Sequence, residues 1–134
     1  MPTVHKTIAV IDDDPEIRAS LSRLLSAHGF RAKTFDAAET FLVHASRCAA
    51  ACLIVDIQLG KISGIELAHQ LAADGLSFPI IFMTGNHDVT VEQKATAAGG
   101  VACLRKPFPP EELMNQLNSA VGGSRGQHLV IAKD

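Results

Sequence analysis

Four apolar runs of this chain have the length of β-strands, and each is followed by residues that can do chemistry. The runs and the residues after them are 8–11 with Asp12, Asp13 and Asp14, 52–55 with Asp56, 80–83 with Thr84, and 101–104 with Arg105 and Lys106. Because the carboxyl ends of parallel strands share one rim of a sheet, neighbouring parallel strands would bring these side chains into one crevice. Carboxylates, a hydroxyl and an amine in one crevice suit a divalent cation, a phosphoryl group and a carboxylate nucleophile.

The acids Asp12, Asp13 and Asp56 predict a Mg²⁺ site if they meet in space. Ionised carboxylates in close contact repel one another, and a divalent cation removes that penalty while keeping them ionised. Magnesium prefers oxygen ligands in octahedral geometry and keeps several waters. A carboxylate can also accept a phosphoryl group covalently, and that transfer requires mainly positioning and charge stabilisation from the protein.

Taken alone, each motif also has an ordinary structural interpretation. Acids at 12–14 are typical of a helix N-terminus, where they complement the helix dipole, and Asp56 could end its strand in a capping turn. The motifs at 84–85 and 106–107 are common in turns. The hypothesis of a chemical site therefore depends on all four motifs occurring in order on strand ends.

Helix-like segments follow the strand-like runs. Pro15 suits a first helical turn, leucines at helical spacing follow it, and Gly29 marks the end of that helix. Residues 30–35 alternate in polarity and predict a short second strand. Asp36 is expected to cap an alanine-rich helix over residues 37–46.

Three more helices are predicted in the second half of the chain. Ser63 opens one that ends near Gly75, Asp88 caps another that stops at Gly99, and the fifth begins at residues 109–112. The chain therefore contains five βα units in strict alternation. Such an order predicts a parallel sheet covered by helices on both faces.

The hydrophobicity of each run predicts where its strand lies in the sheet. The runs at 8–11, 52–55, 80–83 and 101–104 are nearly all apolar, which is typical of strands buried on both faces. Only residues 30–35 alternate, which predicts an edge position for the second strand.

Composition favours one globular domain. The chain has 134 residues, 47% of them hydrophobic, and a net charge of −2, and that length suits a single domain. Because it lacks the net basic charge of nucleic-acid-binding domains, we expect no direct binding of nucleic acid. No apolar stretch reaches about 18 residues and no signal peptide is apparent. We therefore expect no membrane association and a cytoplasmic location.

The cysteines and histidines do not indicate a site. Three cysteines are an odd number, which argues against a full disulfide framework. Cys48 and Cys52 have the spacing of one helix face, but no further ligand lies at zinc-site spacing. We favour small buried thiols. The six histidines are scattered, and none is assigned as a phosphodonor.

Four motifs on strand ends resemble the receiver domain of two-component response regulators. Those motifs are Asp12-Asp13, Asp56, Thr84-Gly85 and Lys106-Pro107-Phe108. Each motif alone is weak, but the ordered set is specific, and the resemblance covers residues 7–121. The segments 84–89 and 105–108 are most similar to receivers of the FixJ type.

The resemblance implies a fold and a division of the chain. The fold is α/β, a flavodoxin-like (βα)5 doubly wound parallel sheet with strand order 2-1-3-4-5. Residues 1–121 would form the receiver domain, and residues 122–134 would be a linker and tail. We expect no output domain in this chain, although a helix-turn-helix domain usually follows receivers of the FixJ type.

The resemblance also implies a role for each matched residue. Asp56 would be the phosphoryl acceptor, Asp12 and Asp13 the acidic pair, Thr84 the hydroxyl partner of the phosphoryl group and Lys106 its cationic partner. Mg²⁺ would be held by the side chains of Asp13 and Asp56.

Further implications concern the remaining Mg²⁺ ligand, the reaction and its partners. The backbone carbonyl of Gln58 would complete the protein ligands of Mg²⁺. The phosphoryl group would come from a sensor histidine kinase or a histidine phosphotransfer protein and would regulate a downstream output. The domain would catalyse only its own phosphorylation and dephosphorylation, so it would not be an enzyme in the metabolic sense. The Lys106–Pro107 peptide bond is usually cis in this family.

Two positions depart from the family pattern. Cys103 occupies the switch position on the fifth strand, where receivers usually carry an aromatic residue that turns inward when the threonine moves. Gly60 replaces a usual proline and frees the loop after the acceptor. Because a thiol is a poor substitute for an aromatic plug, we expect a monomer at rest. At most a weak dimer would form through the fourth-helix and fifth-strand face.

Two other classes of protein share parts of this pattern. A Mg²⁺-dependent phosphatase or mutase with an aspartyl-phosphate intermediate generally has a second acid two residues after the nucleophile, where this chain has Gln58. A flavodoxin would need a phosphate cradle rich in hydroxyls and glycine after the first strand. This chain has acids there, so the flavin-binding hypothesis ranks last.

Overall fold

Five parallel strands alternate with five α-helices in the computed structural model, which describes residues 5–86 and 88–126. The strands are β1 (Thr7–Ile11), β2 (Arg31–Phe35), β3 (Cys52–Asp56), β4 (Ile80–Thr84) and β5 (Gly100–Arg105). The helices are α1 (Pro15–Ala27), α2 (Ala38–His44), α3 (Gly64–Ala73), α4 (Val89–Ala97) and α5 (Pro110–Gly126), with a short 3₁₀ helix at Ala45–Arg47. The sheet order is β2-β1-β3-β4-β5, which confirms the flavodoxin-like order.

The inner strands are buried on both faces, because helices cover each side of the sheet. Along β1, Ile8 and Val10 belong to the apolar cluster formed with α1 and α5. Ala9 and Ile11 belong to the cluster on the opposite face, formed with α2, α3 and α4. Alternate residues of a strand point to opposite faces, so an apolar run without alternation is what this position requires.

Side-chain caps fix the starts of three helices. The Asp14 carboxylate accepts a hydrogen bond from the backbone N–H of Glu16, and Asp88 caps α4 in the same way. Ser63 and Glu66 form a reciprocal capping box at α3. The helix starts predicted at Ser63 and Asp88 are therefore confirmed.

The expected cap at Asp36 is wrong. The residue before α2 is Ala37, which makes no side-chain cap. The carboxylate of Asp36 instead accepts a hydrogen bond from the Thr40 hydroxyl at 3.1 Å. The helix is also shorter than predicted, since the chain tightens into the 3₁₀ helix after His44.

Two predictions about the end of the chain are also wrong in part. Both β2 and β5 are edge strands, whereas the apolar run 101–104 predicted full burial. In β5 only Leu104 is buried and Val101 is 52% exposed, because an edge strand has one neighbour and less cover.

Helix α5 continues to Gly126, so residues 122–126 are helical where glycine and serine predicted a linker. Residues 127–134, the rest of the predicted tail, lie outside the described residues.

No helix within residues 5–86 and 88–126 is long and apolar enough to cross a lipid bilayer.

Gly64, the first residue of α3, lies against the strand that carries Asp56. Its N–H donates to the Ile57 carbonyl at 3.0 Å. A Cβ at this position would lie 2.5 Å from the Asp56 carbonyl oxygen and 2.9 Å from a methyl carbon of Val55. Only glycine therefore fits without moving the backbone at the end of β3.

We predict that Gly64→Ala lowers the free energy of unfolding by about 1–3 kcal/mol, as forced overpacking does. Gly60→Ala is the matched control, because nothing lies within 4 Å of its added Cβ. Urea denaturation of both variants measures the difference. Equal stability of the two variants would contradict the proposed contact.

Candidate functional site at the carboxyl rim of the sheet

Four predicted residues meet at the carboxyl rim of the sheet. Asp12 directly follows β1, Asp56 ends β3, Thr84 ends β4 and Lys106 directly follows β5. Asp12 and Thr84 are fully buried and Asp56 is 5% exposed. These three are the buried polar or charged residues of the described chain, so the polar interior is concentrated at this rim.

Lys106 joins the two buried carboxylates. Its Nζ donates to Asp12 Oδ2 at 3.1 Å and to Asp56 Oδ2 at 3.0 Å. The other oxygen of each acid accepts the backbone N–H two residues further on, from Asp14 at 2.9 Å and from Gln58 at 3.0 Å. Each buried carboxylate is thus held by one cation and one amide, which offsets the cost of removing it from water.

The environment shifts the proton affinity of both groups in the Asp56–Lys106 pair. Burial raises the pKa of Asp56, and the charge of Asp12 acts in the same direction, while Lys106 and the N–H of Gln58 lower it without reversing the shift. For Lys106, burial lowers the pKa, but the hydrogen bonds and charges of Asp56 and Asp12 outweigh it, so the pKa is raised.

The direction of each pKa shift sets its effect on stability. At pH values below its ordinary pKa, protonated Asp56 contributes favourably to the free energy of unfolding. That contribution is lost as pH rises through its raised pKa in the folded state. The contribution of Lys106 is present at neutral pH and is lost only as pH rises through its own raised pKa. At neutral pH the ionised Asp56 is therefore a destabilised group that Lys106 partly compensates.

Asp13 completes a cluster of acids at the mouth of the site. One carboxylate oxygen from each of Asp12, Asp13 and Asp56 lies within 4.8 Å of the others. Asp13 is exposed, so this cluster opens to solvent. Asp14 instead caps α1. Three clustered carboxylate oxygens, one of them from an exposed residue, form a donor set that fits Mg²⁺.

Thr84 is held by the loops around it. Its hydroxyl oxygen accepts the N–H of Asn86 at 2.9 Å, and its hydrogen lies within reach of Gln58 Oε1 at 3.3 Å and the Asn86 carbonyl at 3.4 Å. The N–H of Gly85 also donates to Gln58 Oε1, at 3.4 Å. The Gln58 side chain therefore links the loop after β3 to the loop after β4.

Sequence reasoning missed the side chains of Gln58 and Arg18. The position of Gln58, two residues after Asp56, was a usable signal, but only its backbone carbonyl was assigned a role. Arg18 Nη1 donates to the Asp12 carbonyl at 2.8 Å from within α1. Nothing in the sequence distinguishes this arginine from a solvent-exposed helix residue.

Cys103 lies half-buried in β5 and packs against the apolar cluster of α2, α3 and α4. Burial raises the pKa of its thiol, the charge of Glu92 raises it further, and Arg105 lowers it. Arg105 and Glu92 form an ion pair between β5 and α4.

The face formed by α4 and β5 is accessible, because Val89 is 55% exposed and Val101 is 52% exposed. The switch position and the weak dimer stay predictions.

The structure separates the two cysteines that could have shared a helix face. Cys48 follows the 3₁₀ helix and is half-buried, whereas Cys52 begins β3 and is fully buried. The full burial of Cys52 confirms the prediction of a buried thiol at this position, and burial raises the pKa of that thiol to about 12. The Lys106–Pro107 peptide bond is cis, as the family resemblance implied.

Comparison with known proteins agrees with this geometry. The family described as the response regulator receiver domain matches residues 8–118. The transcriptional regulatory protein FixJ of Bradyrhizobium diazoefficiens is 38% identical over 119 residues, which cover 89% of this chain and 58% of FixJ. The response regulator protein TmoT of Ectopseudomonas mendocina is 35% identical over 117 residues, 87% of this chain and 53% of TmoT.

Solved structures give the same result. The crystal structure of full-length FixJ from B. japonicum superposes with a TM-score of 0.86 at 35% identity, covering 94% of this chain and 62% of that one. A structure described as FixJ-N gives a TM-score of 0.83 at 30% identity and covers 96% of this chain and 98% of that one. The chain spans about half the length of the curated relatives described above. It belongs to the receiver domain family of two-component response regulators.

Proposed function

We propose that this receiver domain accepts a phosphoryl group on Asp56 from a histidine kinase or a histidine phosphotransfer protein in a Mg²⁺-dependent reaction, and so regulates a downstream output. The observation that carries the proposal is the contact of Lys106 with both buried acids at the sheet rim. A half-buried lysine held by two carboxylates provides a fixed positive charge next to one carboxylate oxygen that could act as nucleophile. The domain is regulatory and not a metabolic enzyme.

The proposed transfer uses the groups already at the rim. An oxygen of Asp56 attacks the phosphorus of a phosphohistidine, the P–N bond breaks, and the leaving imidazole nitrogen takes up a proton. The product is an acyl phosphate on Asp56. Lys106 and the Thr84 hydroxyl would then contact phosphoryl oxygens, which requires Thr84 to give up its present contacts with Gln58 and Asn86.

The acid cluster supports the proposed Mg²⁺ dependence. The side chains of Asp13 and Asp56, with the backbone carbonyl of Gln58, would hold the ion, and Asp12 lies close enough to contribute charge. The ion would supply positive charge that offsets the repulsion of the carboxylates and of an incoming phosphoryl group. The nucleophile itself belongs to the protein.

A metabolic phosphatase is disfavoured by the contacts of Gln58. Such an enzyme would need an acid two residues after the nucleophile, and Gln58 instead accepts hydrogen bonds from Thr84 and Gly85. An amide in this place cannot donate or accept the proton of a leaving group.

We also propose a cytoplasmic location, where a soluble kinase domain would reach the exposed rim.

We predict that acetyl phosphate with Mg²⁺ adds one phosphoryl group to the protein and that Asp56→Asn abolishes the addition, since an amide cannot form the acyl phosphate. Intact-mass spectrometry measures the label. Asp36→Asn is the control, because Asp36 is an exposed carboxylate outside the cluster of Asp12, Asp13 and Asp56. Full labelling of Asp56→Asn, or continuous phosphate release from small esters, would contradict the proposal.

We further predict that Asp13→Asn weakens Mg²⁺ binding by more than about tenfold, since even changes outside the ligand shell cost that much in metal affinity. Asp14→Asn is the matched control, because asparagine also caps helices and Asp14 caps α1. Thermal unfolding measured against Mg²⁺ concentration gives both affinities. A larger loss in Asp14→Asn would show that the wrong acid has been assigned to the metal.

A further inference from the structure

A positively charged cleft lies beside strand β2, away from the acidic rim. It has a volume of about 550 Å³ and lies between β2 and the segment that follows α2. Its lining includes the cationic side chains of Arg31, Lys33 and Arg47 and the imidazole of His44, and no aspartate or glutamate lines it. A cleft with this lining has a positive potential that concentrates anions.

The three permanent charges of the cleft have no carboxylate partner. The ion pairs of the described chain involve only Arg105 with Glu92 and Lys106 with its two acids. Arg31, Lys33 and Arg47 are all exposed, and none is in an ion pair or a side-chain hydrogen bond within the described residues. No ion pair of the described chain engages their charges, so they are available to a bound anion.

The position of β2 at the sheet edge adds backbone donors to this cleft. Strand β2 pairs only with β1, and the Arg31 N–H bonds inward to the Lys6 carbonyl at 2.9 Å. In a parallel strand the inward and outward groups alternate, so Ala32, which lines the cleft, directs its N–H group to the open edge. Unpaired N–H groups beside cations are common elements of anion sites.

The floor of the cleft is aromatic. Phe35 and His44 both line it, and their ring centroids are 6.0 Å apart. Phe35 in turn packs edge-to-face on the buried Phe41, with centroids 5.2 Å apart. Through Phe35, one side of the cleft is packed into the core.

We propose that this cleft is a binding site for a small anion bearing two or more phosphate groups. A concave site of this volume is within the range of small-molecule sites, whereas a nucleic acid would need an extended basic surface on a chain whose net charge is −2. Three cations match the charge of a diphosphate. The proposal is independent of phosphorylation at Asp56, because the cleft and the carboxyl rim share no lining residue.

Titration with inorganic pyrophosphate in EDTA, followed by amide chemical shifts in NMR, tests the proposal. EDTA removes divalent cations that could bring pyrophosphate to the acid cluster. We expect saturable shifts at residues 31–34 and 44–49. We expect the double variant Arg31→Gln/Lys33→Gln to bind about tenfold more weakly or worse, as the loss of charge-assisted hydrogen bonds implies.

The matched control is Arg23→Gln/Lys94→Gln, which removes the same charge from exposed positions outside the cleft. This control should keep the wild-type affinity within about twofold at fixed ionic strength. An equal loss of pyrophosphate affinity in both double variants would show that the effect comes from net charge alone, and it would overturn the proposal. Shifts centred on Lys106, or binding to phosphatidylserine vesicles without binding to pyrophosphate, would overturn it too.

Discussion

Two buried carboxylates lie within hydrogen-bonding distance of one lysine, and this electrostatic constraint governs the carboxyl rim of the sheet. Asp12 follows β1 and Asp56 ends the neighbouring strand β3, whereas Lys106 follows β5, far along the chain. Two ionised acids without a cation would make this rim strongly unfavourable. With Lys106 present the arrangement is tolerated, yet Asp56 keeps a raised pKa. Lys106 therefore makes the site tolerable, and the remaining unfavourable charge of Asp56 favours either binding of a further cation or neutralisation of its carboxylate.

The fold supplies this constraint through strand order. Strand β1 lies between β2 and β3, so the acids after β1 and at the end of β3 are neighbours at one rim. The inner strands carry apolar side chains on both faces, which buries these strands between the two helix layers and leaves their polar residues at the carboxyl ends. Gly64 lets α3 approach the end of β3 closely. The positions of the acids thus follow from core packing, and Lys106 then determines their charge balance.

The sequence predicted the parts of this site that rest on pattern. Apolar runs without alternation located β1, β3 and β4, and acids at strand ends located Asp12, Asp13 and Asp56. It failed where the outcome depends on contacts between distant segments. The Gln58 side chain binds Thr84 across two loops, and Val101 is exposed because β5 has no outer neighbour. The Asp36 carboxylate accepts a hydrogen bond from the Thr40 hydroxyl instead of capping α2. Sequence composition does not determine which of these two local interactions forms.

Burial raises the proton affinity of Asp56, and Lys106 limits the rise. A ¹³C NMR titration of the Asp56 carboxyl group in metal-free protein, for the wild type and for Lys106→Met, tests it most directly. We predict a pKa above that of an ordinary aspartate in the wild type and a further increase in Lys106→Met, because desolvation then acts without the cation. A wild-type pKa at or below the ordinary value, or no change in Lys106→Met, would contradict the account.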